Sequence, residues 1–131
     1  MAIHKTRWFD RWARKNGLRD ASLCAAVNEM AQGLLDADLG GGLYKKRIAR
    51  EGQGKSGGFR TLVATNNANR WVFLYGFPKS ERENIEPVEE EALKKLAGAL
   101  LLLTAAAIRK AEEAGELIEV LCDEKVEVTD P

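Results

Sequence analysis

The sequence contains little cysteine or histidine and has no long uncharged apolar run. Cys24 and Cys122 stand far apart without a neighbouring Cys/His cluster, so neither a zinc site nor a disulfide framework is expected. The single histidine, His4, is interpreted as a surface or packing residue rather than a catalytic base. The longest apolar stretch, residues 96–108, falls short of the roughly 20 residues that a membrane span needs. It predicts a buried helix, and we expect no metal, no cofactor and no membrane contact.

Residues 1–12 contain no apolar segment of signal-peptide length, so a reduced, cytoplasmic protein is expected. With 131 residues, of which 45% are hydrophobic and 31% charged, the chain has the size of one globular domain. We predict a single domain over residues 1–131, with residues 104–131 as a C-terminal helical and acidic extension.

The net charge is zero, but the charges are unevenly distributed. Residues 1–82 carry 15 Lys/Arg against 7 Asp/Glu, and residues 83–131 carry 5 against 13. A basic half of this kind is typical of a phosphate-binding surface, because neutralising phosphates releases counterions. The alternative is a solvated surface that balances an acidic tail.

Two amphipathic helices are predicted near the N-terminus. Residues 7–16 carry an apolar stripe before Gly17, and Asp20 is expected to cap the second helix. The second helix repeats apolar residues at three- and four-residue spacing, namely Leu23, Val27, Met30 and Leu34. Together the two helices predict a hairpin with one face on the core.

Three strands in series are predicted next. Apolar and basic residues mix at strand-like spacing over residues 43–50, and the segments FRTLVAT and RWVFLYGF have the pattern of an antiparallel hairpin. The last segment is apolar on both faces, which predicts a central, covered strand. The three strands therefore predict a meander.

A C-terminal helix is predicted from Pro87, which is followed by carboxylates that favour a helix N-terminus, to about Ala114 before Gly115. The segment LIEVL that follows has the pattern of a short strand or a partner-docking segment. The predicted fold class is α+β, with a small antiparallel sheet packed against an N-terminal helical hairpin and a C-terminal helix.

The glycine-rich segment at residues 52–57, GQGKSG, matches G-x-G-x-x-G literally. A dinucleotide fingerprint must open a helix, whereas this segment leads into a strand, and the spacing also fails for a P-loop. The chain lacks the other signatures of a kinase. What stands is a glycine-rich loop with Lys55, framed by Arg47, Arg50 and Arg60. It suits a phosphate ligand, or else it is an ordinary hairpin loop with solvated charges.

Three segments occur in the same order and at the same spacing as in a known protein family: LGGGLYKKRIA, GKSGGFR and GFPKSERENI. On the basis of these segments, residues 3–103 resemble the RelE/HigB-like toxins of type II toxin–antitoxin systems. The resemblance implies a small sheet backed by helices and ribosome-dependent cleavage of mRNA, in which an RNA 2′-hydroxyl attacks the adjacent phosphate. The implied partners are mRNA, the ribosome and a cognate antitoxin with a helix-turn-helix DNA-binding domain. A homodimer is a further possibility.

The resemblance also implies roles for residues inside the shared segments. Arg60 resembles the family's transition-state arginine. The other expected catalytic residues are Lys55, Lys79 and Arg82. The expected RNA and phosphate contacts are Lys46, Arg47, Arg50 and Tyr44. Core packing is expected for Trp8, Trp12, Trp71 and Phe73, and Tyr44 and Phe77 are the better base-stacking candidates because they lie nearer the charged segments.

The sequence departs from the family pattern after the last strand, where several RelE-type nucleases place a tyrosine and this chain has Ile85. No obvious general base replaces that tyrosine, and Lys79 or Glu81 are the remaining guesses. Two hypotheses therefore stay open. The protein is an mRNA endoribonuclease, or it is a binding module that retains the toxin fold and acts through RNA or through antitoxin complexes in transcriptional autoregulation.

Overall fold

A computed structural model describes residues 2–50 and 57–122. The expected α+β class is confirmed, and the described residues form four helices and one six-stranded, mostly antiparallel sheet. The strands are β1 (Ala2–Thr6), β2 (Ala37–Gly40), β3 (Leu43–Ile48), β4 (Phe59–Thr65), β5 (Arg70–Pro78) and β6 (Leu117–Glu119). The helices are α1 (Arg7–Lys15), α2 (Asp20–Ala31), α3 (Pro87–Leu101) and α4 (Ala105–Glu113). In this structure no helix is long and apolar enough to cross a bilayer among the residues described.

The sheet is built around the predicted meander. The strand order is β2-β3-β4-β5-β1-β6, and β2, β3, β4 and β5 pair antiparallel in sequence. As predicted, β5 is central, because it lies between β4 and β1. A register shift between Leu62 and Val63 interrupts the ladder that β4 forms with β5.

The sequence did not predict β1 or β2. β1 pairs parallel with β5, with Ile3 opposite Trp71, and β6 then pairs antiparallel with β1. LIEVL therefore supplies a strand, which was one of its two interpretations. β1 lacks the alternating pattern of a half-buried strand because His4 and Lys5 are both buried within it.

Each face of the sheet carries its own core. Helices α1 and α2 cover the face that we call the hairpin face, where Phe9, Val27 and Trp71 are buried. Helices α3 and α4 cover the opposite face, called the α3 face, where Leu43 and Leu62 are buried. The predicted helical hairpin is confirmed, although Leu34 at the end of its stripe is exposed.

The predicted single C-terminal helix is wrong, because it divides into α3 and α4. Thr104 caps α4 by accepting a hydrogen bond from the backbone N–H of Ala107. Arg70 Nη1 donates to carbonyl oxygens at the end of α3, those of Leu100, Leu101 and Leu103. The apolar run is consequently not one buried helix, and Leu102 between the two helices is 85% exposed.

Asp20 begins α2 but does not cap it, since the N-cap residue is Arg19. The Asp20 carboxylate instead accepts from Lys5 Nζ at 2.8 Å and from the backbone N–H of Leu121 at 3.0 Å. Lys5 Nζ also lies 2.9 Å from Asp10. Burial opposes the charge of Lys5, but the hydrogen bonds to Asp20 and Asp10 outweigh it, so the pKa of Lys5 is raised.

The expectation of no disulfide is wrong, because Cys24 and Cys122 are bonded to each other across 98 positions of sequence. The chain after β6 runs back towards α2, where Val120 donates to the Ile3 carbonyl and Leu121 donates to Asp20. This path brings Cys122 to Cys24 with a Cα–Cα distance of 5.7 Å.

Reduction of this disulfide is expected to lower the free energy of unfolding by about 2–4 kcal/mol, because it releases a long closed loop in the unfolded chain. Urea unfolding with and without a thiol reductant measures the difference. Cys24→Ser should match the reduced wild type and should not respond to reductant. Identical unfolding curves for oxidised and reduced wild type would contradict this prediction.

Candidate functional site

The cations predicted from sequence are divided between the two faces of the sheet. Side chains alternate along β3, so Tyr44 and Lys46 lie on the hairpin face and Arg47 lies on the α3 face. Arg60 in β4 is the register partner of Arg47 and of Phe77 in β5. Three predicted residues, Arg47, Arg60 and Arg82, therefore lie on the α3 face, and we call them the α3-face arginines.

Arg60 is the most buried of the α3-face arginines, with 5% of the residue exposed. Its Nη2 lies 3.4 Å from Oε1 of Glu83, whose side chain is 68% exposed. Its buried Nη1 has no hydrogen-bond partner among the residues that the structure describes. A buried guanidinium with an unused donor can accommodate an acceptor such as a phosphate oxygen.

Arg82 is held by both aromatic and acidic groups. Its guanidinium lies over the Phe77 ring at 4.9 Å, and its Nη2 donates to the Tyr75 hydroxyl at 2.9 Å. Two further bonds, of 2.9 and 3.1 Å, join it to the two carboxylate oxygens of Glu89 in α3. The hydrogen bond to Glu89 is the largest cause of the raised pKa of Arg82, and the reciprocal bond is the largest cause of the lowered pKa of Glu89.

Arg47 and its neighbour Lys45 complete the basic part of the α3 face. Arg47 Nε lies 2.9 Å from Asp36, which also accepts from the Arg47 backbone N–H. Lys45 Nζ donates to Oδ1 of Asn84 at 2.8 Å. Sequence reasoning missed Lys45, although two-residue alternation with Arg47 was the signal that could have found it. Every cation of this group has a polar partner.

A small cavity of about 100 Å³ opens beside these residues, between Lys45, Phe77 and the segment around Asn84 and Ile85. Its volume is below the roughly 300 Å³ at which small-molecule sites begin. A polynucleotide would consequently lie on the surface along the α3-face arginines rather than inside this cavity.

The hairpin face holds the other predicted contacts. Lys46 is 4% exposed, and its Nζ lies 2.7 Å from Glu29 and 2.8 Å from the Leu34 carbonyl oxygen. The Tyr44 hydroxyl accepts from Asn67 Nδ2 at 2.9 Å, and the Arg50 guanidinium covers the Phe59 ring at 4.8 Å. Because side chains alternate along β3, Tyr44 and Lys46 lie on the opposite face of the sheet from Arg47 and Arg60.

Of the two predicted catalytic lysines, Lys55 and Lys79, the structure describes Lys79. Lys79 is half-buried directly after β5, and its backbone N–H donates to the Gly58 carbonyl at 3.0 Å. This bond holds the backbone of Lys79 beside Gly58, which is two positions before Arg60 in the sequence. Lys55 lies outside the described residues.

A family model for the RelE toxin of RelE/RelB toxin–antitoxin systems matches residues 1–120. The match includes all six strands and all four helices. The chain belongs to the RelE toxin family. No curated protein matches it significantly. Membership in the RelE family implies an antitoxin partner.

In this RelE toxin the aromatic residues differ in their exposure. Core packing is confirmed for Trp71 and Phe73, which are fully buried. It is wrong for Trp8, which is 45% exposed and stacks on Tyr75 with ring centroids 4.6 Å apart. Phe77 is only 4% exposed and lies beneath Arg82, so it is not available to stack on a base.

The single histidine of the RelE toxin and one of its tyrosines lie in different parts of the fold. His4 is a packing residue, as expected, since it is 4% exposed in β1 and its Nε2 lies 2.7 Å from Glu112 in α4. Tyr75 contacts the α3-face arginines, because its hydroxyl accepts a hydrogen bond from Arg82. The sequence did not identify Tyr75 as a site residue. Within residues 2–50 and 57–122, no three His, Cys, Asp or Glu side chains are grouped to hold a metal ion.

Glu89→Gln tests the pairing of Arg82 in the RelE toxin. Glutamine keeps an acceptor for the Glu86 backbone N–H that Glu89 binds at the start of α3, but it removes the charge. Because the pKa of Glu89 is lowered from 4.5, its stabilisation is present above that pH and is lost as the pH falls through the folded pKa. The loss of unfolding free energy should be below about 1 kcal/mol at neutral pH.

Thermal melts of wild type and Glu89→Gln from neutral pH downward check this prediction. The two melting temperatures should converge at acidic pH, where Glu89 of the wild type is protonated. A difference that stays constant over this pH range would contradict the ion pair as its cause.

Proposed function

We propose that this toxin is a ribosome-dependent mRNA endoribonuclease whose α3-face arginines bind the phosphate at which the RNA is cut. The observation that carries the proposal is Arg60, a buried guanidinium whose Nη1 has no hydrogen-bond partner within residues 2–50 and 57–122 and whose Nη2 makes a long contact with the exposed Glu83. A phosphate oxygen can take the place of Glu83 on Nη2 at little cost, because the displaced Glu83 carboxylate regains water.

The reaction we propose is transesterification within the RNA. The 2′-oxygen bonds to phosphorus as the bond to the 5′-oxygen breaks, which leaves a 2′,3′-cyclic phosphate and a 5′-hydroxyl. The 2′-hydroxyl loses its proton and the departing 5′-oxygen gains one. Negative charge accumulates on the phosphate oxygens in the transition state, and Arg60 and Arg82 are proposed to stabilise that charge. Lys79 and Lys55 are proposed as further phosphate contacts, with the ribosome supplying the extended mRNA.

The hairpin-face residues Lys46, Tyr44 and Arg50 are not part of the proposed site, because the sheet separates them from Arg60. The proposed activity places the toxin in the cytoplasm, where mRNA is translated. The antitoxin is proposed to carry a helix-turn-helix DNA-binding domain, which sequencing of the adjacent open reading frame would test. Homodimerisation stays a prediction.

The second candidate function is a binding module that has lost cleavage. It is favoured by the carboxylates that already pair with Arg82 and Arg47, together with the Ile85 position where family members place a tyrosine. Such a protein would bind RNA or antitoxin without cutting.

Primer extension on translated mRNA separates the two functions. The endoribonuclease should produce new ends in phase with codons within minutes of adding toxin to a purified translation system. These ends should carry a 5′-hydroxyl and should not form when antitoxin is added together with the toxin. RNA binding without any new end would overturn the proposed activity and support the binding module.

A further inference from the structure

We infer that Trp8 forms a nucleobase-stacking subsite of this toxin, next to the phosphate held by the α3-face arginines. The inference rests on the proposed function for its ligand, RNA, but it concerns a residue outside the predicted site. Its structural basis is the continuous contact from Trp8 through Tyr75 to Arg82.

The position of Trp8 follows from where β1 ends. The pairing of β1 with β5 reaches Lys5 opposite Phe73, and the Thr6 hydroxyl then donates to the Leu74 carbonyl at 3.3 Å. Residues 75–78 of β5 extend beyond β1, and α1 begins at this point. Thr6 also caps α1 by accepting from the Phe9 backbone N–H at 3.1 Å. The first turn of α1 is therefore fixed beside Tyr75.

Trp8 is unusual among the residues of α1 because its ring is held in place without being buried. Phe9 and Ala13 supply the packing of the helix on the sheet and are at most 1% exposed. Trp8 stacks on Tyr75 and lies nearly parallel to Trp12, with centroids 6.1 Å apart and planes 12° apart. An aromatic ring that is 45% exposed and immobilised by two other rings loses little side-chain entropy on binding.

Tyr75 links this ring to the charged site. The Tyr75 ring stacks on Trp8, and the Tyr75 hydroxyl accepts the hydrogen bond from Arg82 Nη2. A nucleotide whose phosphate contacts Arg82 would thus have a neighbouring base within reach of Trp8. Protein surfaces that bind single-stranded RNA combine these two elements, a cationic track for the backbone and an aromatic ring for a base.

The test is RNA binding by the full chain, with a short 2′-O-methyl oligoadenylate that cannot undergo 2′-oxygen attack. We expect Trp8→Ala to weaken binding about tenfold or more, and Trp8→Phe to keep most of the affinity. Replacing the internal bases of the oligonucleotide with abasic positions should weaken binding to the wild type but not to Trp8→Ala. Leu34→Ala removes a comparably exposed apolar residue, 56% exposed, and should bind as the wild type does.

Tryptophan fluorescence gives a second, structural measurement. RNA should quench the wild type and Trp12→Phe, whereas Trp8→Phe should lose most of the quenching. The fluorescence of Trp8→Phe keeps the test valid if Trp8→Ala does not fold.

The outcomes distinguish the subsite from the phosphate site. Binding that is lowered by Arg60→Ala but unchanged by either Trp8 variant overturns the subsite and leaves the proposed function standing. Binding that is lowered by Trp8→Ala but unchanged by Arg60→Ala supports the subsite and contradicts the phosphate site. No RNA binding by the wild type overturns the subsite, and primer extension then decides the proposed activity separately.

Discussion

Arg60→Ala is expected to reduce mRNA cleavage by about 10²–10³-fold, the effect typical of removing one preorganised donor from a developing anion. The physical reason is that Arg60 is buried against Phe77 in the sheet, so its guanidinium is positioned before the substrate arrives. Water cannot substitute for it with the same geometry. Cleavage rates in a purified translation system, measured by primer extension at a single codon, give the change.

Arg60→Lys is expected to fall between the wild type and Arg60→Ala. Lysine restores the positive charge but cannot offer the paired donors of a guanidinium. Arg109→Ala is the matched control, because it removes an exposed arginine from α4. Helix α4 contacts β6, which is separated from β4 and Arg60 by β5 and β1. Thermal melts establish that each variant is folded. Cleavage by folded Arg60→Ala at the wild-type rate would show that Arg60 does not act on the phosphate.

Trp71→Ala is expected to lower the free energy of unfolding by about 3–5 kcal/mol, which is enough to unfold a marginally stable domain. Trp71 is fully buried in the central strand β5, with Ile3 of β1 on one side and Thr65 of β4 on the other. Truncation leaves a cavity where the two halves of the sheet meet. Urea unfolding monitored by circular dichroism measures the loss.

Trp71→Phe provides the matched control. The buried Nε1 of Trp71 has no hydrogen-bond partner within residues 2–50 and 57–122. Phenylalanine removes that N–H and keeps much of the ring volume, so it should cost much less than alanine. Equal losses for the two variants would contradict packing at this position as the source of the stability.

The local patterns of the sequence predicted the parts of the fold that depend on neighbours in the chain. The strands β3, β4 and β5 and the helices α1 and α2 carry clear periodicities, and each was found. β1 was not predicted because its polar residues are buried: His4 contacts Glu112 of α4, far along the chain, and Lys5 pairs with Asp10 and Asp20 of the two helices that follow. The disulfide was not predicted because Cys24 and Cys122 are 98 positions apart in the sequence.

The break between α3 and α4 was not predicted, because the leucine periodicity continues through it. Thr104 within this run is an ordinary helix cap, but its effect depends on Arg70, which binds the carbonyls at the end of α3 from β5. A side chain some thirty positions earlier in the sequence therefore decides where this helix ends.

The candidate site was found in part. The segment LYKKRI places cations at consecutive positions, and alternation assigns Lys46 to one face and Arg47 to the other. Arg60 and Arg82 were found and do lie on a common face. Their acidic partners and Trp8 were missed, because those contacts depend on how the 79–86 segment and α1 meet the end of β5.

The central claim, that RNA binds at the α3-face arginines, is tested most directly by the NMR signals of arginine side chains during titration with 2′-O-methyl RNA. We predict that the Nε–H signals of Arg60 and Arg82 shift on binding, while that of Arg50 on the hairpin face does not. A shift of the Arg50 signal with those of Arg60 and Arg82 unchanged would contradict RNA binding at the α3-face arginines.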